Sequence, residues 1–411
     1  MKTVCWRRML EVKSPVLTRP FWLFAALGAL GLVLFAWREV AGLAATTALN
    51  DGYSWGLFKN FNVTTLTALG SGGYALGVLT YVFNRHQYHP LMRTALLTSI
   101  LSYTSGMIAL ATDIGRPWNI VLMADPWVWN PHSILFEVAL CMTAYVMIAL
   151  DFENLAPLLD RLEEDPFPDI VRTLAGHAKT FVKTVYPYGV ALALALPTMH
   201  QSSLGSLMLL AGPRVHPVWQ TPLLPMLYVV MAFVLGLAFV ILVLMASCVV
   251  WKRPMDRALL SSLTSVVSWV ALGWVAIRLG DLLGRGQLAA AFHADFFGFI
   301  FLTEMLLVTL PALLLQLPRV AASPARSFPV LVVLTIGGLL YRYTPTTIAF
   351  QPGAGYRYFP SVVEILISLG LVSLAVVGFL FTVKRFAILP ATLEMSLRAG
   401  TTNPESKGQA A

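Results

Sequence analysis

The feature that most constrains this chain is a series of ten apolar stretches, each close to the ~20 residues a helix needs to cross the hydrocarbon core of a bilayer. Their approximate limits are 21–43, 62–83, 94–113, 133–150, 179–198, 222–250, 262–283, 296–317, 327–345 and 361–383. The fifth contains Lys179, Lys183 and Pro187 and is the least regular of the set. In lipid every backbone N–H and C=O must be bonded inside a helix or a closed barrel, and the period-two alternation of barrel strands is absent. The expected fold is therefore all-α, a polytopic integral membrane protein of about ten transmembrane helices. Composition removes the soluble alternatives. Apolar residues make up 57% of the chain and charged ones 12%, against roughly 25% charged residues in a soluble protein. A soluble enzyme, a disordered chain and a nucleic-acid binder are excluded. The net charge of +8 reads instead as topology and contact with anionic membrane lipid.

Cytoplasmic loops of membrane proteins collect Lys and Arg. With the N-terminus inside, 20 of the 28 basic residues fall on the inner side and 8 on the outer. Both termini are thereby assigned to the cytoplasmic side. Residues 1–20 read as a cytoplasmic leader, 21–385 as a transmembrane bundle and 386–411 as a cytoplasmic tail. The first apolar run is longer than the roughly 7–15 residues of a signal-peptide core, so it reads as an uncleaved anchor. Residues 151–178, with Asp160, Glu163, Glu164, Asp165 and Asp169, form the one sizeable hydrophilic loop. A faint internal echo links two parts of the chain. Asp113-Ile-Gly-Arg116 ends the third stretch and Arg278-Leu-Gly-Asp281 the seventh, while Glu137 and Glu304 lie near the starts of the fourth and eighth. Two four-helix bundles, stretches two to five and six to nine, would produce this pattern. So would chance.

Ionisable groups inside membrane helices cost several kcal/mol, so each is a functional hypothesis by default. Here they are Asp113, Arg116, Glu137, Arg278, Asp281, Glu304 and Glu364, with His200 expected at the end of the fifth helix. The orientation above puts all eight in the outer half of the membrane. Asp113 with Arg116, and Arg278 with Asp281, are three apart, so each pair could neutralise itself. Glu364 could be a solvated helix start, and Glu304 could simply bond a neighbouring helix. Glu137 has no cation within one turn, so its carboxyl must stay neutral or find a partner across helices. His200 either bonds a polar loop or donates a proton to a ligand. The residues beyond it, Ser202 to Gly212, read as a re-entrant or interfacial lid. Tyr103, about 15 Å inward of Asp113 on the same helix, is a packing residue or a member of a proton relay.

Other chemistry is sparsely encoded. Cys5, Cys141 and Cys248 form no CxxC pair, so no metal site is expected in this chain. A membrane b-type haem needs axial ligands projecting from helix interiors. None of the seven histidines is expected mid-helix, so no haem is expected either. Walker, Rossmann and HExxH motifs are absent. The run Gly70-Ser-Gly-Gly73-Tyr-Ala-Leu-Gly77 permits close helix contact.

Seven ordered segments carry a resemblance. They are Asp51-Gly-Tyr-Ser-Trp-Gly, Gly70-Ser-Gly-Gly-Tyr-Ala, Phe83-Asn-Arg-His-Gln-Tyr-His-Pro-Leu, Asp113-Ile-Gly-Arg116, Leu135-Phe-Glu137, Pro197-Thr-Met-His200-Gln-Ser-Ser-Leu-Gly-Ser-Leu-Met and Phe350-Gln-Pro-Gly-Ala-Gly-Tyr-Arg-Tyr-Phe-Pro. Together they resemble the membrane subunit of respiratory NiFe hydrogenases of the HybB type, within the polysulfide reductase NrfD/PsrC superfamily. The likeness runs from about residue 50 to 370. It implies a haem-free quinone-binding subunit that exchanges electrons between a periplasmic ferredoxin-like iron–sulfur subunit and membrane menaquinone or ubiquinone. The hydrogenase large and small subunits would be further partners, and the activity that of a hydrogen:quinone oxidoreductase complex, with proton translocation as an open addition. The family's quinone-site positions map onto Asp113, Arg116, Glu137 and His200, and less securely onto Tyr103, with Glu137, His200 and Asp113 as the catalytic set. Trp118, Trp127 and Trp129 could border the slot for the quinone tail. One departure stands out. Relatives of this type can carry a glutamate in the sixth helix where this chain reads Leu242-Val243-Leu244, so a proton path using that carboxylate would differ here. The alternatives are another oxidoreductase of the superfamily, such as a polysulfide or sulfur-compound reductase, and an ion-coupled transporter. A transporter site would lie near the midplane at broken helices, not outward.

Overall fold

The computed structural model describes residues 12, 14–114, 116–153, 159, 162–163, 167–386 and 388–390. Most of the expected leader, Cys5, the acidic residues Asp160, Glu164 and Asp165, and the tail from residue 391 lie outside the described residues. Ten helical runs carry the fold. They are α1 (Arg19–Ala41), α2 (58–82), α3 (Met92–Asp113), α4 (Ile134–Glu153), α5 (Asp169–Leu210), α6 (Leu224–Val250), α7 (Arg257–Gly284), α8 (Phe296–Gln316), α9 (Pro324–Tyr343) and α10 (Val362–Arg385). α2 is a column of pieces, with π winding over Phe58–Leu66 and Val78–Val82 around the short α-helical turns Thr67–Leu69 and Gly72–Gly77. Among the described residues the one β feature is an isolated antiparallel bridge between Val215 and Phe350. The all-α membrane fold is as expected.

Each apolar stretch coincides with one of these runs, but among the described residues seven helices are long and apolar enough to cross a membrane: α1, α3 and α6 to α10. The other three fall short for separate reasons. α2 is divided by its changes of winding. Among the described residues α4 contributes the shorter apolar run Ile134–Met147. α5 mixes its apolar residues with Lys179, Lys183, Pro187 and Pro197.

α5 departs furthest from the sequence reading. Its 42 residues make a rod about 63 Å long, twice the ~30 Å hydrocarbon core. Residues 169–178, read as loop, are its first turns, and Ser202 to Leu210, read as a lid, are its last. Apolarity marks only the part of a helix that lies in lipid, so a water-exposed extension leaves no trace in a hydropathy profile. There Glu163 meets Lys179 at 2.6 Å and Asp169 pairs with Arg172.

The packing forms two closed rings. α2, α3, α4 and α5 contact one another in sequence and close through α2 against α5, and α6 to α9 close in the same way through α6 against α9. The rings join where α6 lies against α2 and α5 and where α9 meets α2, while α1 and α10 pair outside the first ring against α3. Glycine makes the tightest joins possible. A Cβ built on Gly236 would sit 2.5 Å from the Gly72 nitrogen, and one on Gly31 would sit 2.7 Å from the Gly370 Cα. Any larger residue would push these helices apart. Trp269, Leu306, Val33 and Leu369 remain exposed on outer faces, as a lipid-solvated surface requires.

Candidate functional site

Where the rings meet, polar side chains replace the apolar core. His200 is completely buried on α5, with Nδ1 3.1 Å from the Val138 carbonyl oxygen and Nε2 3.3 Å from the Thr67 hydroxyl. A carbonyl can only accept, so Nδ1 carries the proton and Nε2 faces Thr67. Gln201 donates from Nε2 to Thr67 Oγ1 at 3.2 Å and to the Tyr103 hydroxyl at 3.1 Å. Its Oε1 accepts from the Arg342 guanidinium. Arg342 in turn donates from Nε (3.0 Å) and Nη2 (2.7 Å) to the Thr64 carbonyl and from Nη1 to the Tyr228 carbonyl at 3.0 Å. The Arg342 Cζ also lies 4.1 Å from the centre of the Tyr228 ring. The Tyr103 ring stands 5.3 Å from the His200 imidazole and 4.8 Å, edge-on, from Tyr145. Six helices, α2, α3, α4, α5, α6 and α9, are thus cross-linked through one hydrogen-bonded chain.

Its depth differs from expectation. Tyr103 is ten residues inward of Asp113 on the α-helix α3, about 15 Å, and Thr67 lies just past the π-wound stretch that holds Lys59. His200 therefore sits deep inside the helical bundle, ten residues before the end of α5, and not at a helix end. Asp113, at the end of α3, and Lys59, near the start of α2, pair at 2.7 Å with the aspartate side chain almost wholly buried. The Asp113–Arg116 pairing considered from the sequence is not made. Arg116 is exposed, at the start of the apolar segment Pro117–Ala124, and Trp118 and Trp127 stand exposed along that loop. Glu137 lies half-buried in the first turn of α4, in no ion pair among the described residues, next to the Val138 carbonyl that holds His200. Of the five expected site residues, His200 and Tyr103 come together, Glu137 adjoins them through the backbone, Asp113 lies further out and Arg116 stands apart.

The second ring holds its own buried charges. Arg278 does not pair with Asp281, whose carboxylate is taken by Arg285 at 2.7 and 2.9 Å and by the Thr221 hydroxyl at 2.6 Å. Glu304 accepts from the Trp219 indole at 3.0 Å. Glu364, considered a solvated helix start, is fully buried and wholly used. It receives Tyr358 Oη at 2.7 Å and the Ala48 and Ser361 amides at 2.9 and 2.8 Å, in a capping box that starts α10. Its role is structural. Outside the membrane helices, the loop between α5 and α6 is tied to the 349–351 segment, and its His216 stacks on Phe297 at 4.3 Å. Burial holds the His216 pKa below its usual 6.5, with the Asp295 charge opposing.

The profile of the family Polysulphide reductase, NrfD matches residues 45–345. The chain belongs to the NrfD family. Over 379 residues, 91% of this chain and 93% of the relative, it is 35% identical to the "Probable Ni/Fe-hydrogenase 2 b-type cytochrome subunit" of Escherichia coli (strain K12). Over 391 residues, 88% of this chain and 89% of the relative, it is 26% identical to the "Menaquinone reductase, integral membrane subunit" of Nitratidesulfovibrio vulgaris. The first of these names corrects the expectation of a haem-free chain, since a b-type cytochrome is by name a haem protein. The premise behind that expectation also fails, because His200 lies inside a helix. As they stand, the residues around His200 do not fit an axial ligand. Val138 and Thr67 engage both ring nitrogens, and an iron would have to displace one of them.

Thr67, Gln201, Arg342 and Lys59 were missed from the sequence. Arg342 carries a readable signal, an arginine at the end of an apolar stretch. Gln201 and Thr67 gave none, since neutral polar residues are common in membrane helices.

Proposed function

We propose that this NrfD-family protein is the quinone-reactive membrane subunit of a respiratory oxidoreductase complex, with a NiFe hydrogenase as the donor and a periplasmic iron–sulfur subunit as the intermediary. The observation that carries the reading is the buried His200–Thr67–Gln201–Tyr103–Arg342 chain beside the unpaired carboxyl of Glu137. The likeness to a hydrogenase subunit and to a menaquinone reductase subunit supports it from a second direction. Reduction of a quinone takes two electrons from the iron–sulfur partner and two protons, one to each carbonyl oxygen. Menaquinone and ubiquinone both present the two carbonyls this chemistry needs.

In this reading the protein supplies donors and protons. Glu137 gives a proton to one carbonyl oxygen and is reprotonated from the aqueous side. Tyr103, whose hydroxyl accepts from Gln201 and keeps its own proton, hydrogen-bonds the opposite carbonyl and relays the second proton to it. His200, its Nδ1–H spent on Val138, holds Thr67 in place. Asp113 and Lys59 form the outer layer through which protons and the headgroup pass, Arg116 meets the partner subunit or lipid headgroups, and Trp118 and Trp127 edge the entry. Both termini lie in the cytoplasm of a bacterial inner membrane, and protons drawn from that side would make turnover electrogenic.

Glu137→Gln in the assembled complex separates the steps. It keeps shape and a hydrogen-bond donor but releases no proton. Hydrogen oxidation with a soluble dye should continue while quinone reduction falls on the order of 10²-fold, the scale of one general acid, and Glu137→Asp should recover part of it. Equal loss with dye and quinone, or normal quinone turnover, would remove Glu137 from the mechanism. Co-purification of a protein other than a hydrogenase would reassign the donor and leave the quinone step standing.

A further inference from the structure

The second ring contains an arrangement that a membrane interior does not tolerate dry. Arg278 on α7 has no exposed surface, and none of Nε, Nη1 and Nη2 has a hydrogen-bond partner in the protein. On α8 the Oε1 of Glu304, 1% exposed, is also without a partner, and on α9 so is the hydroxyl of the fully buried Tyr341. The three residues share one place. The Arg278 Cζ lies 5.8 Å from the ring of Phe301, one turn before Glu304, and 5.7 Å from the ring of Tyr341. Glu304 and Arg278 lie within electrostatic reach of each other and of Tyr341. Nearby groups that could have served are engaged elsewhere, Asp281 by Arg285 and Thr221, and the second Glu304 oxygen by Trp219.

A guanidinium offered only aromatic faces recovers part of its desolvation cost, but its N–H groups stay unbonded. Buried polar groups without protein partners are the usual hosts of internal water, which needs two to four such partners. We propose that Arg278, Glu304 and Tyr341 enclose bound water, forming a hydrated site within the second ring. Water fits better than an anion, because an anion drawn to Arg278 would face the Glu304 carboxyl across the same space. The waters complete the bonding of five orphaned atoms on three helices and give Glu304 a route for exchanging its proton. The Tyr341 ring stands 5.9 Å from Tyr228, whose carbonyl holds Arg342. The hydrated site therefore lies one aromatic pair away from the His200 network.

Radiolytic footprinting tests this without reference to turnover. The assembled complex is pulsed with X-rays in oxygen-18 water, and label is read by mass spectrometry. Tyr341 and Phe301 should label several-fold more than Phe58, which is equally buried in an apolar cluster. In the double variant Arg278→Leu, Glu304→Leu that label should fall to the Phe58 level, while the exposed Trp127 labels as before. Labelling of Tyr341 and Phe301 no higher than Phe58 in the unaltered complex overturns the proposal, whether or not the variant folds. So does label that persists in the double variant, or label that depends on chloride in the buffer.

Discussion

The junction between the two helix rings and the interior of the second ring treat buried charge in opposite ways. In the first, the polar chain is satisfied by protein atoms, and Arg342 alone makes bonds to Thr64, Tyr228 and Gln201. In the second, Arg278 is as deeply buried as Arg342 yet makes no protein hydrogen bond. The difference follows from what each arginine can reach. Arg342 ends α9, where the winding becomes π over Thr344–Ile348, and it meets the π-wound part of α2. π winding offsets the carbonyl ladder, and Thr64 lies within that stretch to receive two N–H groups at once. Arg278 sits inside a regular α-helix facing Phe301 and Tyr341, where backbone carbonyls are already spent. A satisfied network is rigid and fixes geometry. An unsatisfied one calls for water and can change its bonding.

The largest effect should come from Arg342→Met. It removes a guanidinium bonded to three groups and leaves the Thr64 and Tyr228 carbonyls and the Gln201 Oε1 without that donor, at about 1–3 kcal/mol for each acceptor left unsatisfied. The detergent-solubilised complex should lose thermal stability strongly, and Arg342→Lys should rescue little, because an ammonium lacks the planar fork. Mild behaviour of both variants would mean that the chain of bonds between the rings is incidental.

Trp219→Phe comes next. It keeps ring packing in the outer loop but strips Glu304 of its indole donor, a hydrogen bond to an ionisable group worth about 1.5–3 kcal/mol. Arg278→Met should cost less, about 1 kcal/mol, since water-mediated bonds are lost and not direct ones. Thermal unfolding of the two variants side by side checks the order. Arg278→Met as damaging as Arg342→Met would erase the contrast between the ring junction and the second ring's interior.

How far these features could be read in advance depends on whether they are written along the chain or across it. The helices were legible because crossing lipid imposes a one-dimensional demand, about 20 apolar residues, and each expected stretch holds a helical run. The overrun of α5 was not, since helix in water makes no such demand. The candidate site was legible in part. His200, Tyr103 and Glu137 stood out as costly residues, but the spacing of Asp113 and Arg116, or of Arg278 and Asp281, reveals only neighbours on one helix. Which partner wins is decided by packing, and it gave Asp113 to Lys59 and Asp281 to Arg285. The haem expectation failed for a related reason. It took a helix end from hydropathy, and α5 continues past His200 to Leu210.

The smallest effect should be a pH dependence in the loop that caps the second ring. His216 has its pKa lowered below the ordinary 6.5 by burial against Phe297 and Trp219, with Asp295 opposing. Folded, it binds a proton less readily than it does unfolded. Where the unfolded chain holds more protons, stability rises with pH. The contribution is therefore complete above pH 6.5 and is lost as pH falls through 6.5 toward the lower folded value. Because the imidazole is only half-buried, solvent screens much of this and the change should be slight. Protonation would also weaken the Trp219 side of the loop, the side that holds Glu304, so the second ring should feel it before the first. His216→Phe retains a ring to stack on Phe297 and removes the titration. Unfolding midpoints of the complex measured from pH 8 to pH 5 should then fall slightly more steeply for the unaltered protein than for the variant. A steeper fall for His216→Phe would show that protonated His216 is stabilised, by Asp295, and that the loop tightens in acid.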